Sequence, residues 1–274
     1  MLANPVRSNQ LRKAFARTYN HPTYDDPHDA MQDYERVQKK AAAHPNKGSS
    51  ALSSIVELPR GRIRSWIDGD GMPDCYRGLQ VVQSNNWIID SWEQEVARGL
   101  NCLAAWILSS GGINENFVPT FVAEPGDEYE SLSDYASSAG VRLERTRESD
   151  EDRPPEWLPR SNASVLGRLI YTWIGVKGDK SRDKVEFPVY LQEAPDTIVR
   201  DFVQIYVQQR GVYRDDRGEY FQISVNRTDS FRRALKSRLQ SVVDDPDEIR
   251  GEAWPLRISG DAMGTLRQYP TIEA

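Results

Sequence analysis

The sequence predicts an α+β protein, with an all-helical N-terminal region followed by a larger segment in which helices and short strands alternate in two copies. Three observations carry this. Up to about residue 93, apolar residues recur at helical spacing between Ser, Asn, Gly and Pro breaks. Beyond that point extended runs appear. In residues 216–226, DRGEYFQISVN, the side chains Phe221, Ile223 and Val225 alternate with Tyr220, Gln222, Ser224 and Asn226. Finally, residues 99–113 (GLNCLAAWILSSGGI) and 197–213 (TIVRDFVQIYVQQRGVY) share one design: an apolar helix, a polar last turn, then Gly and an aliphatic residue. Their glycines, Gly111 and Gly211, are one hundred residues apart. The spacing predicts an internal repeat over 94–185 and 186–274.

At 274 residues the chain can bury a substantial core, and 28% charged with 38% hydrophobic residues is a globular composition. The net charge of −6 argues against a uniformly basic coat but allows local basic faces. Two cysteines, Cys75 and Cys102, are too few for a disulfide framework or a thiolate metal site. No apolar run reaches about 18–20 residues and no signal-peptide core opens the chain, so a cytoplasmic protein without membrane contact is expected.

In chain order, 8–20 puts Leu11, Phe15 and Tyr19 on one stripe behind a Ser/Asn cap. A bridge with His21, Asp25, Asp26 and His28 has turn composition and no ligand periodicity, and a second helix follows over 30–43. These two helices make up a first region, 1–44. The next, 45–93, reads as short helix, tight break, short helix. A helix over 49–57 is cut by Leu58-Pro59. A second over 61–68, GRIRSWID, has Ile63, Trp66 and Ile67 on its apolar side and Arg60, Arg62 and Arg64 projecting elsewhere. That is how a helix-turn-helix offers a reading helix, with arginines able to pair with guanine edges or phosphates. It is also how a plain helical hairpin with a solvated basic face looks. A further helix starts at Pro73.

The third region, 94–274, begins with a helix over 94–110. Then come an extended run (116–123), a helix (127–139) closed by Gly140, and a strand (141–148). An acidic loop, an extended piece (157–163), a helix (163–174) and a basic loop (177–184) complete the first copy. The second has a helix over 195–210, the alternating strand, a helix (228–243) with a Thr/Asp cap, a strand (254–259) and a last short helix (261–269).

Helix-strand-strand-helix-strand-strand-helix, written twice, resembles the monomeric LAGLIDADG homing endonucleases. The likeness spans about 95–274, through residues 158–180, 187–213 and WPLRISG (254–260). It implies two motif helices packed at a pseudo-two-fold axis and two curved sheets forming a saddle over DNA. The family's catalytic acid precedes the glycine, where this chain has Ser110 and Arg210. Serine brings no charge. Arginine repels Mg²⁺ by roughly 8 kcal/mol at about 4 Å with an effective dielectric near 20. The family's small helix-contact residues are replaced by bulkier ones at Ile205 and Gln209. SWIDGDG (65–71) looks like half of the same motif, with Asp70 as its acid, but it lacks the long apolar helix before it and the strand after it.

The resemblance therefore implies a DNA-binding scaffold with no catalysis, metal or cofactor. Tyr220, Gln222, Ser224 and Asn226 are the candidates facing base edges. Arg142, Arg145, Arg147, Lys177, Lys180, Arg182 and Lys184 are candidates for phosphate. An acid-free domain of this kind beside a helix-turn-helix also resembles sporulation-control regulators, which favours reading 48–68 as a helix-turn-helix. The expected protein is a monomeric, sequence-specific, regulatory binder of double-stranded DNA. The alternatives are an active endonuclease with displaced acids such as Asp70 or Asp179, an RNA-binding maturase-like factor, and an interaction scaffold.

Overall fold

The structure, a computed structural model, describes residues 8–146, 154–180, 185–216, 218–224, 227–251 and 255–272. In it α1 (Ser8–Ala16) buries Leu11, Ala14 and Phe15 and stops short of the expected residue 20. The chain turns there because Thr18 bonds the Phe15 carbonyl through both its N–H and, at 2.7 Å, its hydroxyl. α2 (Pro27–Ala43) starts earlier than expected. The Asp26 carboxylate accepts from the His28 N–H, and Pro27 takes the first position, where a missing N–H is harmless. Of the bridge residues, Asp26 is thus a capping group, and His21 holds the turn by accepting at Nδ1 from the N–H groups of Thr23 and Tyr24. α3 (Ser49–Val56) ends on Glu57 in the left-handed region, at φ 56°, and Pro59 then opens α4 (Arg60–Asp68). α5 (Asp74–Ser84) follows.

These helices divide between two cores. Tyr34 and Val37 of α2, Leu52 and Val56 of α3, and Ile63 and Trp66 of α4 close around Leu58 as a small core of their own. α1 and α5 join the main core through Leu11, Phe15, Cys75, Leu79 and Val82.

The remainder runs α6 (Glu95–Ser109), β1 (Gly112–Ile113), β2 (Pro119–Val122), α7 (Asp127–Ser138), β3 (Leu143–Thr146), β4 (Glu156–Pro159), α8 (Ala163–Ile174). The same order then returns: α9 (Asp196–Arg210), β5 (Gly211–Arg214), β6 (Tyr220–Ile223), α10 (Asp229–Ser241), β7 (Ile249–Arg250), β8 (Leu256–Ser259), α11 (Gly260–Leu266). Each set forms a four-stranded antiparallel sheet with equivalent strand order, β1-β2-β4-β3 and β5-β6-β8-β7. The class is therefore α+β. Two strands escape sequence reading, β1 and β7, each two residues long and too short to show alternation. The expected strand over 116–123 shrinks to 119–122. Asn114 takes the chain through a turn ahead of it, its side chain accepting from the N–H groups of Asn116 and Val118.

The two apolar helices lie side by side and parallel. Near their starts the Arg98 guanidinium grips the Asp201 carboxylate at 2.8 and 3.1 Å. A turn on, Asn101 donates to the Ile198 carbonyl at 3.0 Å and accepts from the Tyr190 hydroxyl at 2.7 Å. At their ends the Arg210 guanidinium donates to the Ser109 carbonyl. Contacts between positions about one hundred residues apart are what a two-fold between the copies produces. From Gly99 to Ser109, α6 is buried on every side, as a central helix must be. Gly99 is required where α7 crosses it, since a Cβ there would lie 2.7 Å from the Ala139 nitrogen.

The Arg98–Asp201 pair is largely out of water, with side chains 26% and 6% exposed. Burial raises the Asp201 carboxyl above its ordinary range in spite of Arg98, whereas the bond to Asp201 raises Arg98. Desolvation therefore offsets much of the attraction. Replacing Arg98 by Met, which strands the carboxylate, should cost about 3–5 kcal/mol in urea unfolding. An Arg98→Met/Asp201→Leu double variant should recover most of that loss. Equal losses in both would show that a stranded Asp201 carboxylate is not what the Arg98→Met variant loses.

Candidate nucleic-acid interface

The last carbonyls of a helix have no partner within it. At the end of α6 they are met by cations. The Lys180 ammonium, on the loop after α8, donates to the carbonyls of Gly111 and, at 2.9 Å, of Ile107, and lies 3.3 and 3.5 Å from those of Ser109 and Leu108. Arg210, the last residue of α9, reaches the Ser109 carbonyl from the other side. Arg227, just before α10, is buried and donates to the Lys180 carbonyl at 2.8 Å. Glycine-permitted turns bring Lys180 there. Gly175 ends α8 at φ 69°, and Gly178, at φ 65°, donates to the Ile113 carbonyl at 2.6 Å.

This cluster is electrostatically tense. Burial, reinforced by Arg210 and Arg227, pushes the Lys180 ammonium down to about 7, and burial also lowers Arg210. The carbonyls and the negative end of the α6 dipole offset this, the dipole by about 0.3–1 kcal/mol per cation and up to about 2 when partly buried. Shielded from solvent, the Ser110 hydroxyl and the Arg210 Nε have no hydrogen-bond partner among the described residues. So where the sequence lacks acids at Ser110 and Arg210, the structure assembles positive charge. Arg210 at that position repels a divalent cation. Among the described residues, no three His, Cys, Asp or Glu side chains are grouped to hold a metal ion. Asp70 and Asp179 are exposed, on the loops after α4 and α8.

The other candidates are placed unevenly. Lys180, expected to hold phosphate, turns inward to the end of α6, where the carbonyls of Ile107, Leu108 and Ser109 have no partner within the helix. Lys177 pairs with Glu115 at 2.5 Å and lies 4.8 Å from the Phe117 ring centre. Arg142 is exposed beside Arg160, whose N–H bonds its carbonyl at 2.8 Å. Arg145 lies on the opposite face of the same strand. It sits across from Trp157, whose ring stacks on Tyr129 of α7 at 3.7 Å, so it belongs to the helix side of the sheet. Tyr220, expected to face DNA, is only 7% exposed; its hydroxyl donates to Asp216 at 2.9 Å and the Arg257 guanidinium covers its ring. Gln222 is half-buried and donates at 2.8 Å to Ser224, which is exposed just past the end of β6. Asn226, Arg147, Arg182 and Lys184 lie outside the described residues.

On α4, Arg60 and Arg64 are exposed, one turn apart. Arg62 instead packs its guanidinium 4.6 Å from the centre of the Tyr24 ring. Asp68 ties the unit together by accepting from the Ser49 N–H and hydroxyl at 3.2 and 2.6 Å, bonds that hold its carboxyl below the usual range. The first turn of α4 holds no acid, but the Asp68 carboxylate is close enough to be held down by Arg60 and Arg64, and Arg60 donates to the Ser49 hydroxyl at 3.4 Å.

Sequence reading missed Arg214, Arg250 and Arg257, exposed on the second sheet, and Arg227. Arg257 was readable, since its strand neighbours Leu256 and Ile258 point inward. Arg250 was not, as β7 carries no periodic signal. In comparisons with known proteins, no family model matches the chain, and no curated protein matches it.

A lysine whose folded value falls from 10.5 to about 7 sheds its proton earlier folded than unfolded. Between those values the unfolded chain binds more protons, so this group makes stability rise with pH, by at most about 1.4 kcal/mol per unit. Unfolding midpoints at pH 7 and 9 should therefore show wild type gaining on a Lys180→Met variant. Parallel pH profiles would mean that Lys180 titrates as an ordinary surface amine.

Proposed function

We propose that this chain is a sequence-specific binder of double-stranded DNA, of regulatory type, with a LAGLIDADG-like saddle that does no chemistry and a helix-turn-helix-like unit formed by α2, α3 and α4. The carrying observation is the exchange at the end of the paired helices. The repeated αββαββα order and the parallel helix pair are retained, yet Ser110 leaves the helix end without an acid and Lys180 and Arg210 cover it with positive charge. A metal-dependent cut needs acids from both helices at that point, so this reading assigns no catalytic role. The chain acts as a monomer, its internal repeat supplying both halves of the saddle.

The small core beneath α4 supports the second part. It fixes a short helix whose exposed Arg60 and Arg64 point away from the core, after a three-residue break containing Pro59. Arg60 and Arg64 hold phosphate or guanine, whereas Arg62 is structural through Tyr24.

Gel-shift titration of duplex DNA across a salt series tests this. Replacing Arg60 and Arg64 by Ala should weaken binding and reduce the slope of log affinity against log salt by about two, at roughly 0.9 per phosphate contact. Arg62→Ala should leave the slope unchanged and lower the melting temperature. Binding unaltered by the Arg60/Arg64 pair removes the helix-turn-helix reading. Nicking in Mg²⁺ that is lost on Asp179→Ala supports an endonuclease instead, and preference for structured RNA over duplex supports the maturase-like reading.

A further inference from the structure

The two sheets share a topology but not a surface. In the second, cross-strand register sets Val212, Gln222, Arg257 and Arg250 in one row, with Arg214, Tyr220 and Ser259 in the next row on the same face. The opposite face carries Phe221, Ile223, Leu256, Ile258 and Ile249, all buried. Among the described residues the open face bears three exposed arginines, and the acids nearest in sequence lie at its edges: Asp215, Asp216 and Glu219 in the β5–β6 turn, where Asp216 is bonded to Tyr220, and Asp247 and Glu248 just before β7, where the Glu248 carboxylate accepts from the Asp261 and Ala262 N–H groups at the start of α11.

In the first sheet, Val122, Glu156 and Thr146 form the corresponding row, and Glu144 stands beside Leu158 in the next. Arg142 and Arg160 extend that face, so among the described residues its two glutamates and two arginines balance. One face is neutral and mixed; the other is cationic.

Within the cationic face, Arg250 and Arg257 are directly opposite on adjacent strands. Like charges so placed repel each other. Among the described residues neither has a carboxylate within ion-pair distance. Each is drawn aside, Arg250 donating to the Asp247 carbonyl at 3.0 Å and Arg257 lying 5.1 Å from the Tyr220 ring centre. A bound anion relieves the repulsion.

We infer that the open face of the second sheet, through Arg214, Arg250 and Arg257 around Gln222, holds the phosphates of duplex DNA, and that the first sheet does not, so the duplex is gripped from one half. This rests on the DNA-binding reading above. It adds three contacts to that reading and makes the complex asymmetric although the fold is repeated. Gln222, flanked by arginines, is then the side chain best placed to touch a base edge.

The test uses the full chain and a duplex it binds. An Arg250→Ala/Arg257→Ala variant should lose about tenfold in affinity at moderate salt, with the salt slope lower by about two. A Glu144→Gln/Glu156→Gln variant should bind within about twofold of wild type. All four side chains lie on the solvent face of their sheets, and thermal melts confirm that the variants are folded. Full affinity without the two arginines, or a gain of tenfold or more on removing the glutamates, overturns the one-sided grip while leaving DNA binding intact. A wild-type chain that shifts no duplex at low salt overturns the parent reading, and this one with it.

Discussion

The structure depends on how the end of α6 is satisfied. A helix buried on every side cannot send its final carbonyls to water, and unpaired buried carbonyls are costly. Here they are bonded by an ammonium from the chain after α8 and a guanidinium from the end of α9. The same contacts therefore cap a helix, join one repeat to the other and set the sign of the charge where the copies meet. Arg98 and Asp201 clasp the opposite end. Between the two clasps the Asn101–Tyr190–Ile198 bonds fix the register, because a shift of either helix would strand a buried amide.

Much of this was legible in the sequence where periodicity is long. The two apolar helices, their following glycines and the repeat spacing could be read directly, since fifteen-residue stripes average out local noise. The break at Leu58-Pro59 was equally clear, being set by local sterics. What was not legible is where a side chain goes once tertiary structure offers it something better than solvent. Lys180 lies in a loop of basic composition and reads as a surface charge; only the orphan carbonyls of a helix some seventy residues earlier draw it inward. Arg142 and Arg145 read as companions, yet an odd spacing in a strand places them on opposite faces. Gln209, bulkier than the residues the resemblance puts at the helix contact, donates to Glu128 and to the Tyr269 hydroxyl, each at 2.6 Å.

Among the described residues, three of the places where positive charge gathers bear on this reading, on a chain whose net charge is −6: α4, the end of α6 and the open face of the second sheet. They differ in kind. The cluster at α6 is committed to the fold and contributes field more than contacts. Arg60, Arg64, Arg214, Arg250 and Arg257 are exposed. In the proposed reading the committed charges exclude the metal and the exposed ones hold the phosphates. The acidic surplus on the remaining surface limits binding elsewhere, which favours a defined site over a general coat.

Selection of the full chain against a pool of random duplex DNA, in buffer containing Mg²⁺, reaches the central claim most directly. The account predicts one enriched motif, recovered uncut. Recovery of no motif, or of molecules cleaved within the enriched site, would contradict it.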